Sequence, residues 1–202
     1  MADLTLEDLD RLYTPMSPIV KAKVLDRVDP HGARFIALSP FVVVSAAGPD
    51  GGIDVSPRGG EPGFVKLEGE RTLYLPDRPG NNRLDIIRSL LAGPGRIGMM
   101  FMIPGVDDVY RVNGSVTATG DPALLERFPE FGKLPRILLR VSVEEAFLHC
   151  PKALMRSKLW DAEAQIDRSL LPSGAEMVMD QLGMGKPPVS NEVILDSYRE
   201  QL

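Results

Sequence analysis

The stretch FVVVSAAGPDGGIDVSP, residues 41–57, sets the expectation for the fold. It contains an apolar run rich in valine, a Pro-Asp-Gly-Gly turn, and a second run in which apolar and polar residues alternate. Valine and isoleucine favour strands, and a short glycine-containing turn between two such runs is typical of a β-hairpin. The sequence therefore predicts an antiparallel hairpin at this position.

Further strand-like segments follow this hairpin, and each is short and bounded by turn residues. They are GFVKL (63–67), RTLYLP (71–76), RIGMMFMI (96–103), DVYRVNGSVTATG (108–120) and RILLRVSVEEAFLHC (136–150). One helical pattern, from about Asn82 to Ala92, interrupts them. Several short strands joined mostly by tight turns predict an antiparallel barrel rather than a parallel doubly wound sheet.

The chain reads as a single domain of 202 residues, with helices before and after the strands. A chain of this length can bury one sizeable hydrophobic core and does not require a second domain. We divide it into N-terminal helices (1–34), a barrel (35–160) and C-terminal helices (161–202).

The composition is that of a globular protein and argues against several function classes. Hydrophobic residues make up 44% of the chain and charged residues 25%, and the net charge is -5. An acidic protein is a poor partner for nucleic acid, which binds to broad basic surfaces. The longest apolar run, IGMMFMIPGV (97–106), is interrupted by Gly and Pro and is too short to span a bilayer, so no membrane partner is expected.

The cysteine and histidine content argues against disulfides and metal sites. Cys150 is the only cysteine, so no intramolecular disulfide can form and a cysteine-rich metal site is excluded. His31 and His149 lie far apart in the sequence without a second ligand at metal-binding spacing, so no metal is expected. The N-terminus, MADLTLEDLD (1–10), lacks the basic start and apolar core of a secretory signal, so we expect a cytoplasmic protein.

A basic cluster precedes the predicted helix, in the segment DRPGNNRLD (77–85). Asn82 as N-cap would place Asp85 at the third helical position, as in a capping box, and a cap alone would explain the segment. Three arginines nevertheless cluster here in an acidic protein: Arg78, Arg83 and Arg88. A helix start offers unpaired N–H groups and a positive dipole end, so a phosphate or carboxylate site is the second interpretation.

The segment DVSPRGGEPGFV (54–65) is a second candidate. Its glycines allow the backbone to approach a ligand closely, and Ser56 and Arg58 offer a hydroxyl and a bidentate guanidinium group. The alternative is an exposed loop with a solvated arginine. The segment is not a P-loop, because the Gly-Lys-Ser/Thr ending is missing, and it lacks the strand-to-helix context of a dinucleotide fingerprint.

Two later segments contain further candidates. Arg111 and Asn113 share one face of a strand because side chains alternate, and Arg111 either faces solvent or enters a site that needs a cation. The segment HCPKALMRSKLW (149–160) combines basic residues with the only tryptophan of the chain. Its first two residues, His149 and Cys150, are predicted to point to opposite faces of a strand, so they do not form a base–nucleophile pair.

Taken in order, the motifs SPRGG, PGNNRLD, RVNG and HCPKALMRSKLW resemble the pyridoxamine-phosphate-oxidase-like FMN-binding split-barrel family, in a bacterial branch of unassigned substrate. The similarity covers roughly residues 35–160. The resemblance implies a mainly β fold, namely a six-stranded antiparallel split β-barrel with peripheral helices. It also implies a homodimer with FMN bound in clefts at the subunit interface.

The resemblance further implies where FMN binds. In that family, the strand after the first hairpin and the helix start after the next pair of strands hold the flavin phosphate and ribityl chain. Residues 81–83 fall where the oxidases have a Ser-Arg-Lys run, and residues of HCPKALMRSKLW would reach the flavin or a substrate from the partner subunit. The expected FMN-binding residues are Ser56, Arg58, Gly59, Asp77, Arg78, Asn81, Asn82, Arg83, Arg111, Lys152, Arg156, Ser157 and Trp160.

The function implied by the resemblance is that of an FMN-dependent oxidoreductase, which passes electrons from a reduced nicotinamide or deazaflavin to a small-molecule acceptor. Pyridoxamine phosphate is not the expected substrate, because the oxidases' C-terminal Arg-Leu-His-Asp-Arg motif is absent. No catalytic residue is assigned, since the flavin would supply the chemistry. The alternatives are a non-catalytic flavin carrier or sensor, and a split barrel that binds haem, for which His149 is the candidate ligand.

Overall fold

The computed structural model describes residues 3–78 and 80–201, and one antiparallel sheet dominates it. The strands are β1 (Phe41–Ala47), β2 (Ile53–Gly59), β3 (Lys66–Glu68), β4 (Thr72–Asp77), β5 (Arg96–Met102), β6 (Val109–Thr119) and β7 (Ile137–His149). Their order across the sheet is β2-β1-β5-β6-β7-β4-β3, with antiparallel pairing throughout. The helices are α1 (Leu6–Leu12), α2 (Pro18–Ala22), α3 (Pro30–Leu38), α4 (Asp85–Ala92), α5 (Pro122–Leu125), α6 (Lys152–Ser157), α7 (Gly174–Leu182) and α8 (Asn191–Gln201).

The predicted fold class, a mainly β antiparallel split barrel with peripheral helices, is confirmed. Every segment that the sequence marked as a strand contains one. The family resemblance implied six strands, whereas the described residues form seven. The shortest of them, β3, has three residues and pairs only with β4, at one edge of the sheet.

Alternation along β1 separates an inner face of the sheet from an outer face. Val42, Val44 and Ala46 are buried, whereas Val43 and Ser45 between them are partly exposed. The buried side chains join those of β4, β5, β6 and β7 in one hydrophobic core. Removal of this apolar surface from water is the main contribution that stabilises the sheet.

Helix α4 begins at Asp85, later than the sequence predicted. Leu84 is the N-cap residue, and no side chain accepts a capping hydrogen bond there. Asn82 has a φ of 56°, in the left-handed region, which asparagine tolerates better than most residues but which an N-cap does not adopt. The predicted capping box is therefore wrong. Pro79, in the same segment, lies outside the described residues.

The buried side of α4 explains how the start of this helix is positioned. Ile86, Ile87 and Leu90 are buried, and the helix packs against β1 and β2. Their spacing along the helix places all three on the side that faces the sheet. The loop before α4 is thereby held beside β2.

The helices near the two ends of the chain lie on the surface. No described residue of α1, α2, α7 or α8 is buried. Residues 35–38, which we expected to begin the barrel, form the end of α3, whose start is capped by the Asp29 side chain with Pro30 next to it. Within the described ranges, no helix is long and apolar enough to cross a membrane.

Candidate functional site

A cleft of about 630 Å³ opens between β2, the end of β4 and the start of α4. Clefts of this size are typical of sites for cofactors and small molecules. Arg136 and Ile137, where β7 begins, complete its lining. Eight of the residues expected to bind FMN line this cleft: Ser56, Arg58, Gly59, Asp77, Arg78, Asn81, Asn82 and Arg83.

The first wall of the cleft is the inner face of β2. Ser56 and Arg58 lie on this face because they pair with the buried Val44 and Val42 of β1. Strand β2 is at the edge of the sheet, and both side chains are partly exposed. The Arg58 guanidinium donates to the Ser56 hydroxyl and, at 2.9 Å, to the Pro57 carbonyl oxygen, and these contacts hold it along the strand.

Asp77, at the end of β4, brings a second arginine to the cleft. It pairs with Ile137 in the β4–β7 ladder, and the backbone N–H of Arg136 donates to the Asp77 carbonyl oxygen at 3.3 Å. Burial raises the pKa of the Asp77 carboxyl above its ordinary value, and the positive charges of Arg58 and Arg136 offset only part of this rise. The positive charges of two arginines therefore act on one partly buried carboxylate at this end of the cleft.

The raised pKa of Asp77 predicts a pH dependence of stability. Asp77 has a higher pKa in the folded protein than in the unfolded chain. As the pH rises from the unfolded-state pKa through the folded-state pKa, ionisation of this carboxyl therefore lowers the free energy of unfolding. We expect Asp77→Asn to melt at a higher temperature than the unchanged protein at pH 7, and the difference to vanish below the ordinary pKa of 3.8. Thermal unfolding across this pH range measures the effect; a lower melting temperature for Asp77→Asn at pH 7 would contradict it.

Arg83 is already paired at the start of α4. Its guanidinium contacts the Asp85 carboxylate, and its side chain is 78% exposed. Its backbone N–H donates to Asn81 Oδ1 at 3.0 Å, a local turn contact that organises the loop. Because Asp85 neutralises Arg83, this residue is less available to an anion than Arg58 and Arg136.

Arg78 is engaged by the segment that precedes β7. Its guanidinium pairs with the Glu130 carboxylate at 3.0 Å and donates to the carbonyl oxygens of Phe128, at 2.8 Å, and Lys133, at 3.1 Å. The Glu130 side chain is only 7% exposed and also accepts from the backbone N–H of Glu61. Glu130 therefore ties the loop after β2 to the loop after β4, and these two loops flank the cleft.

The remaining predicted residues do not line the cleft within one chain: Arg111, Lys152, Arg156, Ser157 and Trp160. Arg111 lies on the outer face of β6 and donates from Nε to Asn113 Oδ1 at 3.1 Å, so the two side chains do share a face. Three others belong to the surface helix α6, and Trp160 donates from Nε1 to the Val106 carbonyl oxygen at 2.9 Å. Their contact with a flavin would need a partner subunit and stays a prediction.

Two residues that shape the cleft, Arg136 and Glu130, are not among the site residues expected from the sequence. Arg136 reaches the cleft only because β7 pairs with β4 in the register that places Ile137 opposite Asp77. Arg136 could be predicted only if the pairing register of β4 and β7 were known. No sequence signal separates Glu130 from the exposed Glu126 in the same segment.

A sequence comparison identifies the family to which the fold belongs. The model of the family described as "Pyridoxamine 5'-phosphate oxidase" matches residues 28–150 of the 202, which is more than half of the chain. This range contains all of the strands and the residues that line the cleft. No curated protein matches the sequence.

Solved structures with a similar fold come from several bacteria. HupZ from Group A Streptococcus has a TM-score of 0.46 at 16% identity, over 57% of this chain and 89% of that one. A putative pyridoxamine 5'-phosphate oxidase from Lactobacillus delbrueckii has a TM-score of 0.45 at 12% identity, and the match covers 61% of this chain and 95% of that one. HutZ, described as a haem storage protein from Vibrio cholerae, has a TM-score of 0.42 at 12% identity, and the match covers 61% of this chain and 94% of that one. On the family match, this chain belongs to the pyridoxamine 5'-phosphate oxidase family.

Proposed function

We propose that the chain binds FMN in the cleft and acts as an oxidoreductase, which passes electrons from a reduced nicotinamide or deazaflavin to a small-molecule acceptor. One observation carries the proposal: Arg58 and Arg136 line a cleft of about 630 Å³, and neither belongs to an ion pair among the described residues. A doubly negative phosphate would balance the remaining positive charge and accept charge-assisted hydrogen bonds. Membership of the family supports FMN as the ligand.

The residues present fit the polar part of FMN. Arg58 and Arg136 offer guanidinium groups for the phosphate. Ser56, Asn81 and Asn82 offer hydroxyl and amide groups, which suit the hydroxyls of a ribityl chain. Because Asn81 Oδ1 already accepts from the backbone, the amide nitrogen of Asn81 is the group left for a ligand.

The cleft also offers apolar surface for the flavin ring. Phe64, Ile86, Ile87 and Ile137 line it, and such side chains can shield a planar ring from water. Bound FMN would supply the redox chemistry. The chain would bind the phosphate, orient the ring and limit the access of water.

The phosphate assignment predicts the behaviour of three arginine variants. We expect Arg58→Ala and Arg136→Ala each to weaken FMN binding by roughly 1 to 3 kcal/mol, the range for a lost hydrogen bond to a charged group. Arg83→Ala should have a smaller effect, because Arg83 is exposed and paired with Asp85. Fluorescence titration with FMN and with riboflavin separates the phosphate contribution, since riboflavin affinity should stay unchanged. Equal FMN affinities for all four proteins would contradict the assignment.

A homodimer formed through the outer face is part of the proposal. Ile53 and Val55 on β2 are 73% and 63% exposed, and Met100 on β5 is 41% exposed. All three side chains lie on the outer face. Met100 pairs with Val43 of β1, and Val43 pairs in turn with Pro57 of β2, so these residues form a row across the three strands. A patch of exposed apolar side chains across neighbouring strands favours an interface, and a second copy of the chain would cover it.

The dimer proposal predicts the result of placing a charge in this patch. We expect Val55→Glu to shift the protein from dimer to monomer, because burying a carboxylate without a partner is unfavourable. Gln181→Glu, which adds the same charge on the exposed surface of α7, is the control and should stay dimeric. Light scattering after size-exclusion chromatography measures both masses. A dimeric Val55→Glu variant would place the interface elsewhere.

Turnover is tested by anaerobic addition of NADPH to the flavin-loaded protein. Bleaching of the flavin absorbance is the expected result and supports an oxidoreductase. A flavin that does not respond to reduced nicotinamide or deazaflavin would favour the carrier or sensor, and a haem band in place of a flavin spectrum would favour the haem binder. We place the function in the cytoplasm, because a single cysteine fits a reducing compartment.

A further inference from the structure

A second group of positive charges lies on the outer face of the sheet, around the ring of Phe147. Lys23 Nζ lies 5.5 Å from the centre of this ring, and the Arg111 guanidinium carbon lies 5.4 Å from it. The His149 ring packs against the same phenyl ring, with centres 4.8 Å apart. We call Lys23, Arg111, Phe147 and His149 the outer cluster.

The two cations of the outer cluster have no carboxylate partner. Among the ion pairs of the described residues, none includes Lys23 or Arg111. Lys23 Nζ donates to the Leu148 carbonyl oxygen at 2.6 Å, and Arg111 uses Nε for Asn113. Glu145, two residues before Phe147 on β7, already accepts from Asn113 Nδ2 at 3.0 Å. The terminal nitrogens of Arg111 remain as donors for a ligand.

His149 responds to this unbalanced charge. Burial lowers the pKa of its imidazole, and the neighbouring positive charges of Arg111 and Lys23 lower it further. Its Nε2 atom is buried and has no hydrogen-bond partner among the described residues. An unpartnered buried nitrogen beside two cations is costly unless a further group completes the contacts.

We propose that Lys23, Arg111 and His149 form a binding site for an oxyanion, the carboxylate or phosphate group of a small molecule. An oxyanion accepts from both cations and, since its charge favours the imidazolium form, from His149 as well. The chain carries a net charge of -5, so two converging cations without an acid are not explained by a generally basic surface. A bound anion would balance them.

The outer cluster is separate from the cleft. Arg111 pairs with Met100 of β5, which pairs with Val43 of β1, which pairs with Pro57 of β2. Paired residues share a face, so Arg111 lies on the outer face of the sheet. None of the four residues of the outer cluster is among the described residues that line the cleft. Arg111 is also expected to contact FMN from a partner subunit, but the phosphate site needs no residue of the cleft, so the titration below can fail while FMN still binds there.

Proton NMR of the full-length protein tests the inference directly, because the chain has only two histidines, His31 and His149. The variant His31→Gln assigns the His149 ring signals. Inorganic phosphate is added at constant ionic strength, with chloride replaced as phosphate is raised. We expect a saturable shift of the His149 signals and an upward shift of its pKa, because a bound anion stabilises the imidazolium form.

Matched variants separate a built site from general screening. The double variant Lys23→Gln/Arg111→Gln should weaken phosphate binding by about tenfold or more, as expected for lost charge-assisted hydrogen bonds. Lys21→Gln, an exposed lysine on α2, is the control and should bind phosphate as the unchanged protein does. Thermal unfolding of each variant verifies that the fold is retained.

Three results would overturn the inference. The first is a His149 signal that does not respond to phosphate or responds without saturation. The second is an equal loss of binding in the double variant and in Lys21→Gln. The third is a His149 signal that changes on dilution to monomer but not with phosphate, because a carboxylate from a second copy of the chain would then occupy the cluster.

Discussion

Replacing Glu130 with glutamine is expected to lower the free energy of unfolding by roughly 2 to 3 kcal/mol, because it leaves the Arg78 guanidinium without its counter-ion. The Glu130 side chain is 7% exposed and that of Arg78 22%, so water cannot fully replace the lost partner. Arg78 Nε is already buried, and it has no hydrogen-bond partner in the part of the chain that the structure describes. The pair therefore has little tolerance for a further unsatisfied group.

The same change should also weaken FMN binding, since Glu130 holds two loops beside the cleft. It pairs with Arg78 after β4 and accepts from the Glu61 backbone after β2. Gly60 permits this approach, because a Cβ atom there would lie 2.6 Å from Glu130 Oε1. Chemical denaturation and FMN titration, performed at a temperature where the variant is folded, measure the two effects.

Glu126→Gln is the matched control, because Glu126 is exposed in the same segment. It should leave both stability and FMN affinity unchanged. If Glu130→Gln lost stability but bound FMN normally, the ion pair would be purely structural. If it behaved like Glu126→Gln in both measurements, the role assigned to Glu130 would be wrong.

Replacing Gly114 with alanine is expected to lower the free energy of unfolding by about 2 to 3 kcal/mol through overpacking. Gly114 lies at the bulge where the register of β6 with β7 shifts. A Cβ atom there would lie 2.1 Å from the Ser142 carbonyl oxygen and 3.3 Å from a Val141 methyl carbon. Because the closest neighbour is backbone, β6 and β7 would have to move apart.

Gly120→Ala is the control for this prediction, because no described residue other than its two chain neighbours lies within 4 Å of the position of its Cβ atom. Thermal and chemical unfolding should show a large loss for Gly114→Ala and a small change for Gly120→Ala. Equal stabilities of the two variants would mean that the close approach of β6 and β7 at the bulge is incorrect.

The strands were predictable because their signals are local. Short segments rich in apolar residues and bounded by turn residues mark the strands, so the antiparallel architecture follows from the sequence. The end of helix α3, residues 35–38, was assigned to the barrel because these residues are mostly apolar, although Asp29 and Pro30 form a good start signal for a helix. The start of α4 was misplaced because Asn82 resembles an N-cap residue but adopts a left-handed conformation.

The cleft was only partly predictable, for a different reason. Arg58 and Asp77 could be proposed from motifs on their own strands, and the structure places both in the cleft. Arg136 enters through the pairing of β7 with β4, and Glu130 through a contact between distant loops. Such contacts depend on register and packing, which a single sequence encodes only weakly. The flavin contacts expected of Arg111 and of the residues after β7 depend in turn on a partner subunit.

The most direct test of FMN binding is the absorbance spectrum of the purified protein, combined with the mass of any chromophore released on denaturation. We expect a flavin spectrum, a released mass equal to that of FMN, and loss of the bound flavin in the double variant Arg58→Ala/Arg136→Ala. A protein that carries no flavin and does not associate with added FMN would contradict it, and the family relationship would then extend to the fold alone.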